Sequence, residues 1–126
     1  MHILIVDDDR SIRRTLHDIF ESERFDVSTA DSGERAVSKC LEHDYDLVLM
    51  DVRMPGIDGL EAVRQLRGQN CSVPIIMMSG YCVEQRLEQA LAEDVIAFMQ
   101  KPLDIAEVIS LMRSVAGRDN GSVGSS

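Results

Sequence analysis

Four short apolar runs and one alternating stretch punctuate the chain, and each leads through a polar turn into apolar residues at helical spacing. The runs are His2–Val6, Leu47–Met50, Val73–Met78 and Ile96–Met99, and the alternating stretch is Phe25–Ala30. After the first, Ile12, Leu16, Ile19 and Phe20 recur at i, i+4, i+7 and i+8, which predicts a helix with one apolar face. Phe25, Val27 and Thr29 alternate, as in a half-exposed edge strand. Ala36, Val37, Cys40 and Leu41 carry a second helix, and Leu60, Val63 and Leu66 a third that stops at Gly68. Val83, Leu87, Ala90 and Leu91 form a fourth helical face. Val108, Ile109, Leu111, Met112 and Val115 form a fifth. Capping-box spacing precedes three of these helices, at Asp31/Glu34, Asp58/Glu61 and Asp104/Glu107. Beyond Ala116 the composition turns to Gly, Ser and Asn. Residues 1–116 therefore read as one domain and 117–126 as a flexible tail or the start of a linker.

Five strand–helix units in roughly 115 residues predict an α/β fold with a parallel sheet covered on both faces. Right-handed crossovers leave few topologies. The expected one is a five-stranded sheet of order 2-1-3-4-5, a flavodoxin-like (βα)5 doubly wound fold. Its ligand crevice lies where strands 1 and 3 diverge.

Composition narrows the setting. The chain has 126 residues, 44% hydrophobic and 28% charged, enough apolar content for one globular core. A net charge of −9 argues against binding nucleic acid or an anionic membrane through the bulk surface. Cys40, Cys71 and Cys82 are odd in number and lack CxxC spacing, so they read as free thiols in a reducing compartment. No apolar run approaches membrane length, and the first strand starts almost at Met1, which leaves no room for a signal peptide. A cytoplasmic location is expected.

The chemistry collects just past the strand ends. Strand 1 ends on Asp7 and Asp8, strand 3 on Asp51, strand 4 on Ser79, and strand 5 leads to Lys101. In a parallel sheet these ends share one side. Crowded carboxylates repel, so they call for a cation. Oxygen-only ligands favour Mg²⁺, with Mn²⁺ as an alternative. A carboxylate can accept a phosphoryl group as an aspartyl-phosphate. That transfer needs positioning and charge neutralisation, which a metal, a lysine and a hydroxyl supply.

These residues resemble the receiver domain of two-component response regulators. The resemblance covers residues 2 to about 116 and rests on Ile5-Val6-Asp7-Asp8, Leu49-Met50-Asp51 with Met54-Pro55 and Asp58-Gly59, Ile76-Met77-Met78-Ser79-Gly80, and Phe98 with Lys101-Pro102. It implies that Asp51 accepts a phosphoryl group from the phosphohistidine of a sensor histidine kinase or phosphotransfer protein. Asp7, Asp8 and Asp51 would hold Mg²⁺, joined by the main-chain carbonyl of Arg53. Lys101 would pair with the acidic site and then with phosphoryl oxygens. Ser79 would hydrogen-bond the phosphoryl group, and Phe98 would turn inward on activation. Lys101-Pro102 would be a cis peptide. The face of the fourth helix, fifth strand and fifth helix would switch and be read by an output domain or effector, with homodimerisation on activation as one outcome. Direct nucleic-acid or membrane binding by this domain is not implied.

Some positions depart from the family pattern. Asp94-Val95 replaces a usual Gly-Ala pair, and aspartate tolerates the left-handed turn better than most residues. Phe98 lacks a hydroxyl to fix its inward state. Arg53 and Tyr81 are expected to crowd the attacking water and slow autodephosphorylation. The competing reading is a phosphohydrolase of the haloacid-dehalogenase type, with Asp7 as nucleophile and Asp9 as acid/base. A phosphorylation-independent pseudo-receiver is the other. Asp9 otherwise reads as the cap of the first helix.

Overall fold

The computed structural model describes residues 1–80 and 94–124. One parallel sheet contains β1 (His2–Val6), β2 (Asp26–Ala30), β3 (Leu47–Asp51), β4 (Ile75–Ser79) and β5 (Ala97–Gln100). Its order is β2-β1-β3-β4-β5, as expected. Among the described residues the helices are α1 (Arg10–Ser22), α2 (Gly33–Glu42), α3 (Gly59–Gly68) and α4 (Ile105–Gly124). Helix α4 is the fifth helical face of the sequence. The fourth, expected over 83–91, lies outside the described residues, as do Tyr81 and Cys82.

The apolar runs form strands covered on both faces, which is why they lack alternation. Both β3 and β4 are buried along their whole length. Successive side chains feed two cores. Leu4, Val6, Val48, Met50, Ile75 and Met77 pack with Ala36, Val37 and Cys40 of α2 and with Ala62, Val63 and Leu66 of α3. Ile3, Ile5, Leu47, Leu49, Ile76 and Met78 pack with Leu16 and Phe20 of α1 and with Val108 and Met112 of α4. Each large aliphatic side chain taken fully out of water contributes about 1.5–3 kcal/mol. Edge strand β2 buries only Ala30, and its remaining positions are half-buried or exposed, in line with its alternating sequence.

The helix starts use side-chain caps. Asp9 accepts from the Ser11 and Ile12 N–H groups at 2.8 and 3.3 Å. Asp58 accepts from Glu61 N–H at 2.9 Å, and Asp104 from Glu107 N–H at 3.2 Å. Helix α2 departs from expectation. Its cap is Ser32, which accepts from Arg35 N–H, while Asp31 pairs with the Arg35 guanidinium at 3.4 Å. Glu34 turns away from the cap to another loop. Leu41, expected in the core, is 44% exposed. At about 100° per residue it falls at the edge of the stripe made by Ala36, Val37 and Cys40.

Helix ends also differ in detail. Gly68 is the last helical residue of α3, and the left-handed turn falls on Asn70 at φ 61°. Asn70 and Cys71 N–H groups close back on the Arg67 and Leu66 carbonyls, the bond pattern of a left-handed helix cap. Among the described non-glycine residues, Arg24 and Asn70 are recorded at positive φ. The Asp94 carbonyl accepts from the Arg67 guanidinium, through Nε at 3.2 Å and Nη2 at 2.5 Å. The backbone of α4 stays helical to Gly124, past the composition change at Ala116. No helix among the described residues is long and apolar enough to cross a membrane.

The start of α3 meets the end of β3 at Gly59. A Cβ there would lie 2.4 Å from the Asp51 carbonyl oxygen and 2.6 Å from the Met77 methyl. The backbone oxygen cannot give way as a flexible side chain would. Gly59→Ala is therefore expected to lower unfolding free energy by about 1–3 kcal/mol in urea denaturation, the range for overpacking. A loss below about 0.5 kcal/mol would mean that the β3–α3 junction yields freely.

Candidate functional site

Strand register brings the carboxylates together. In the β1–β3 pair, Val6 lies opposite Met50, so the next residues, Asp7 and Asp51, emerge side by side. The ladders continue slightly past the strands and hold these ends in place. Asp7 N–H donates to the Ala30 carbonyl at 3.2 Å, Val52 N–H to Met78 at 2.9 Å and Lys101 N–H to Ser79 at 2.7 Å. Asp7 is fully buried, and Asp51 is 8% exposed. One carboxylate oxygen from each of Asp7, Asp8 and Asp51 lies within 4.8 Å of the others. Asp8 is exposed at the rim.

Lys101 reaches into this cluster from the loop after β5. Its Nζ donates to Asp7 Oδ2 at 2.7 Å and to Asp51 Oδ2 at 3.1 Å. Lys101-Pro102 is a cis peptide, as expected. The remaining oxygens are held by backbone. Asp9 N–H donates to Asp7 Oδ1 at 2.9 Å, and Arg53 N–H to Asp51 Oδ1 at 3.3 Å. Ser79 ends β4 and is buried. Phe98, on β5, is half-buried against the core beneath α2 and α3. Tyr81 lies outside the described residues.

Some contacts have no clear sequence signal. The Arg13 guanidinium donates to the Asp7 carbonyl oxygen at 2.7 Å, tying α1 to the end of β1. Its position one helical turn past Asp9 is a weak hint at most. The Glu34 carboxylate accepts from Ile57 N–H at 2.7 Å, across 23 residues. Helix spacing alone assigns Glu34 to its own cap.

Among the described residues the charges do not balance locally. Three carboxylates face one ammonium. Burial pushes the Asp51 carboxyl above the ordinary carboxylate range, and the Asp7 carboxylate adds to that push. The Lys101 ammonium and the Arg53 N–H pull it down without cancelling the rise. Lost hydration works against the charge on Lys101, but Asp7 and Asp51 together outweigh it and raise the ammonium's pKa. An all-oxygen, net-negative donor set of this kind fits a hard divalent cation. Asp9 does not share the site: its Oδ1 is occupied at the α1 cap. That disfavours an acid/base role for it, and with it the phosphohydrolase reading.

These shifts set a pH signature. A raised Asp51 pKa means that the folded state holds this proton more tightly than the unfolded chain. Ionised Asp51 thus opposes folding, weakly at low pH and fully above its folded pKa. The Lys101 contribution runs the other way and is present throughout the neutral range, below the lysine's unfolded pKa of about 10.4. Lys101→Met should therefore destabilise the metal-free protein at pH 7 by about 3 kcal/mol, the lower end for orphaning a buried charge. The loss should shrink as pH falls and Asp51 takes its proton. Mg²⁺ should offset it. Urea denaturation at pH 5 and 7, with and without Mg²⁺, checks this; a loss independent of both would contradict it.

The family model described as response regulator receiver domain matches residues 3–113. Transcriptional regulatory protein ResD of Bacillus subtilis is 36% identical over 116 residues, covering 92% of this chain and 48% of ResD. Cell cycle transcriptional regulator CtrA of Caulobacter vibrioides is 31% identical over 121 residues, covering 96% of this chain and 52% of CtrA. The chain thus spans about half the length of these relatives. Among solved structures, the Francisella response regulator 1452 receiver domain superposes with a TM-score of 0.84 at 27% identity, covering 94% of this chain and 98% of that one. TrrA of Thermotoga maritima, in complex with Mg²⁺ and BeF, gives a TM-score of 0.78 at 29% identity, covering 90% of this chain and 97% of that one. With its strand order, its acidic cluster and a family match over nearly its full length, this chain belongs to the response regulator receiver domain family.

Proposed function

We propose that Asp51 is the phosphoryl acceptor of this receiver domain and that its phosphorylation controls an output partner. The observation that carries this reading is the Lys101 ammonium shared between Asp51 and Asp7, beside Asp8, at the carboxyl ends of β1 and β3. Receiver domains are regulatory parts of response regulators, which work with histidine kinases and output domains. The specific kinase or phosphotransfer protein, the effector and any homodimer belong to the proposal.

Asp51 Oδ would form the new bond to phosphorus as the phosphorus–nitrogen bond to the donor imidazole breaks. The departing imidazole keeps that bonding pair. A divalent cation, Mg²⁺ or Mn²⁺, supplies neutralisation of the oxygens' charge during this step. Asp7, Asp8, Asp51 and the Arg53 carbonyl would hold it. Lys101 is already hydrogen-bonded to Asp51 and is positioned to follow the charge onto the phosphoryl oxygens. Ser79, at the end of β4, supplies a hydroxyl donor from the neighbouring strand. A phosphoryl group adds nearly two negative charges and strong acceptors. Recruitment of Ser79 and Lys101 by those acceptors would bias the packing around Phe98 and the surface formed by the expected fourth helix, β5 and α4. The module's own chemistry would be limited to gaining a phosphoryl group from a donor and slowly losing it. Residues 117–126 would then serve as a tail or linker. A cytoplasmic site of action fits the free Cys40 and Cys71.

Incubation with Mg²⁺ and acetyl phosphate, followed by intact mass, tests the acceptor. A single phosphoryl adduct is expected in wild type, with none without metal and none in Asp51→Asn. An adduct that survives in Asp51→Asn and vanishes in Asp7→Asn would assign the chemistry to the wrong strand. Arg53→Ala and Tyr81→Ala should each shorten the phospho-Asp51 half-life by opening the path of the attacking water. Unchanged half-lives would remove both residues from that role.

A further inference from the structure

The loop after Asp51 is braced from the far side, and the brace is not part of the acidic cluster. Residues 52–58 join β3 to α3 and include Arg53. At the near side the loop is tied to the sheet. Val52 N–H donates to the Met78 carbonyl, Gly59 N–H donates to the Val52 carbonyl at 2.9 Å, and Arg53 N–H donates to Asp51 itself. The tip meets the first turn of α2. Glu34 Oε1 accepts from Ile57 N–H at 2.7 Å. Two glycines permit the approach. A Cβ on Gly33 would lie 2.7 Å from the Ile57 carbonyl oxygen and 2.6 Å from its side chain. A Cβ on Gly56, which sits at φ 78°, would lie 2.6 Å from the Glu34 carboxylate. Loop tip and helix start are therefore fitted to one another on both sides.

We propose that Glu34 is a positioning residue for the phosphorylation site: by holding Ile57 N–H, it fixes the 52–58 loop and with it the Arg53 backbone that faces Asp51. The inference rests on the receiver-site reading above, because it needs Arg53 to act at the metal site. Mg²⁺ demands near-ideal octahedral geometry, so a ligand on a loose loop lowers its affinity. Residues that orient ligands from behind typically change metal affinity by about 10–100-fold when lost. Glu34 contacts the loop through one hydrogen bond and lies on the exposed surface, so the lower end applies. The Ile57 N–H holds the Glu34 carboxyl below its ordinary range, as a retained hydrogen bond should.

Glu34→Ala removes the acceptor, whereas Glu34→Gln keeps an oxygen at the same reach and removes only the charge. Mg²⁺ affinity of the unphosphorylated protein, measured by calorimetric titration, is expected to fall about tenfold in Glu34→Ala. It should return to within about twofold of wild type in Glu34→Gln, since the conserved acceptor keeps the loop bond. Amide exchange at Ile57 and Arg53 should quicken in Glu34→Ala and not in Glu34→Gln. Equal affinity in wild type and Glu34→Ala would overturn the inference. So would an equal fall in Glu34→Ala and Glu34→Gln, which would mark a charge effect on the metal. Circular dichroism of α2 in both variants separates loss of the brace from loss of the helix; an affinity fall that accompanies unfolding of α2 would also count against it. Failure of wild type to bind Mg²⁺ or to take a phosphoryl group on Asp51 would be a different result, overturning the receiver-site reading itself.

Discussion

Two carboxylates at the ends of adjacent parallel strands cannot both leave water without compensation. Asp7 and Asp51 are in that position because β1 and β3 pair in a register that sets Val6 opposite Met50, the residue before each. Lys101 answers them with a single ammonium shared by both. Much of the surrounding structure depends on making that contact. It requires β5 on the outer side of β4, a loop that turns back over the strand ends, and Lys101 N–H tied to the end of β4. Among the described residues neutralisation is incomplete, since Asp8 adds a third carboxylate at the rim. The residual negative charge is what makes the cluster receptive to a divalent cation and, through it, to phosphoryl oxygens.

Burial has opposite consequences in the two parts of the molecule. In the cores on either face of the sheet it stabilises, through the apolar side chains that β1, β3 and β4 present both ways. At the carboxyl ends the same dry setting raises the cost of ionised Asp51. A site that opposes folding is sustained here by a large apolar core beneath it. Such a site is also responsive, because small changes in charge alter local free energy by more than they would in water. The Arg67 bonds to the Asp94 carbonyl and the Glu34 bond to Ile57 N–H show the complementary feature, with surface side chains locking loops by long-range contacts to backbone.

Much of this was legible in the chain itself. Continuous apolar runs identified the buried strands, alternation identified β2 as the edge, and Asp9, Asp58 and Asp104 announced the helix starts they cap. Those signals are local, and local stereochemistry decides them. Strand count and strand–helix alternation, with the preference for right-handed crossovers, left few topologies, of which the expected order is the one formed. Residue type and place after each strand selected Asp7, Asp8, Asp51, Ser79 and Lys101. The motif resemblance added the expected role of each.

Tertiary structure decided what depends on distance between remote segments. Capping-box spacing pointed to Asp31 with Glu34 at the start of α2, but the folded chain uses Ser32 as the cap while Glu34 reaches Ile57. Leu41 matches a helical apolar stripe, yet the width of the neighbouring contact left it outside. Gly68 reads as a helix stop, but the turn that closes α3 formed at Asn70. The sharing of one lysine between Asp7 and Asp51 joins positions 94 and 50 residues apart, and no periodicity encodes it. Sequence by itself determined which residues carry charge and on which elements they sit. The folded sheet determined which of those charges meet, because side-chain contacts arise from strand register and loop closure rather than from spacing along the chain.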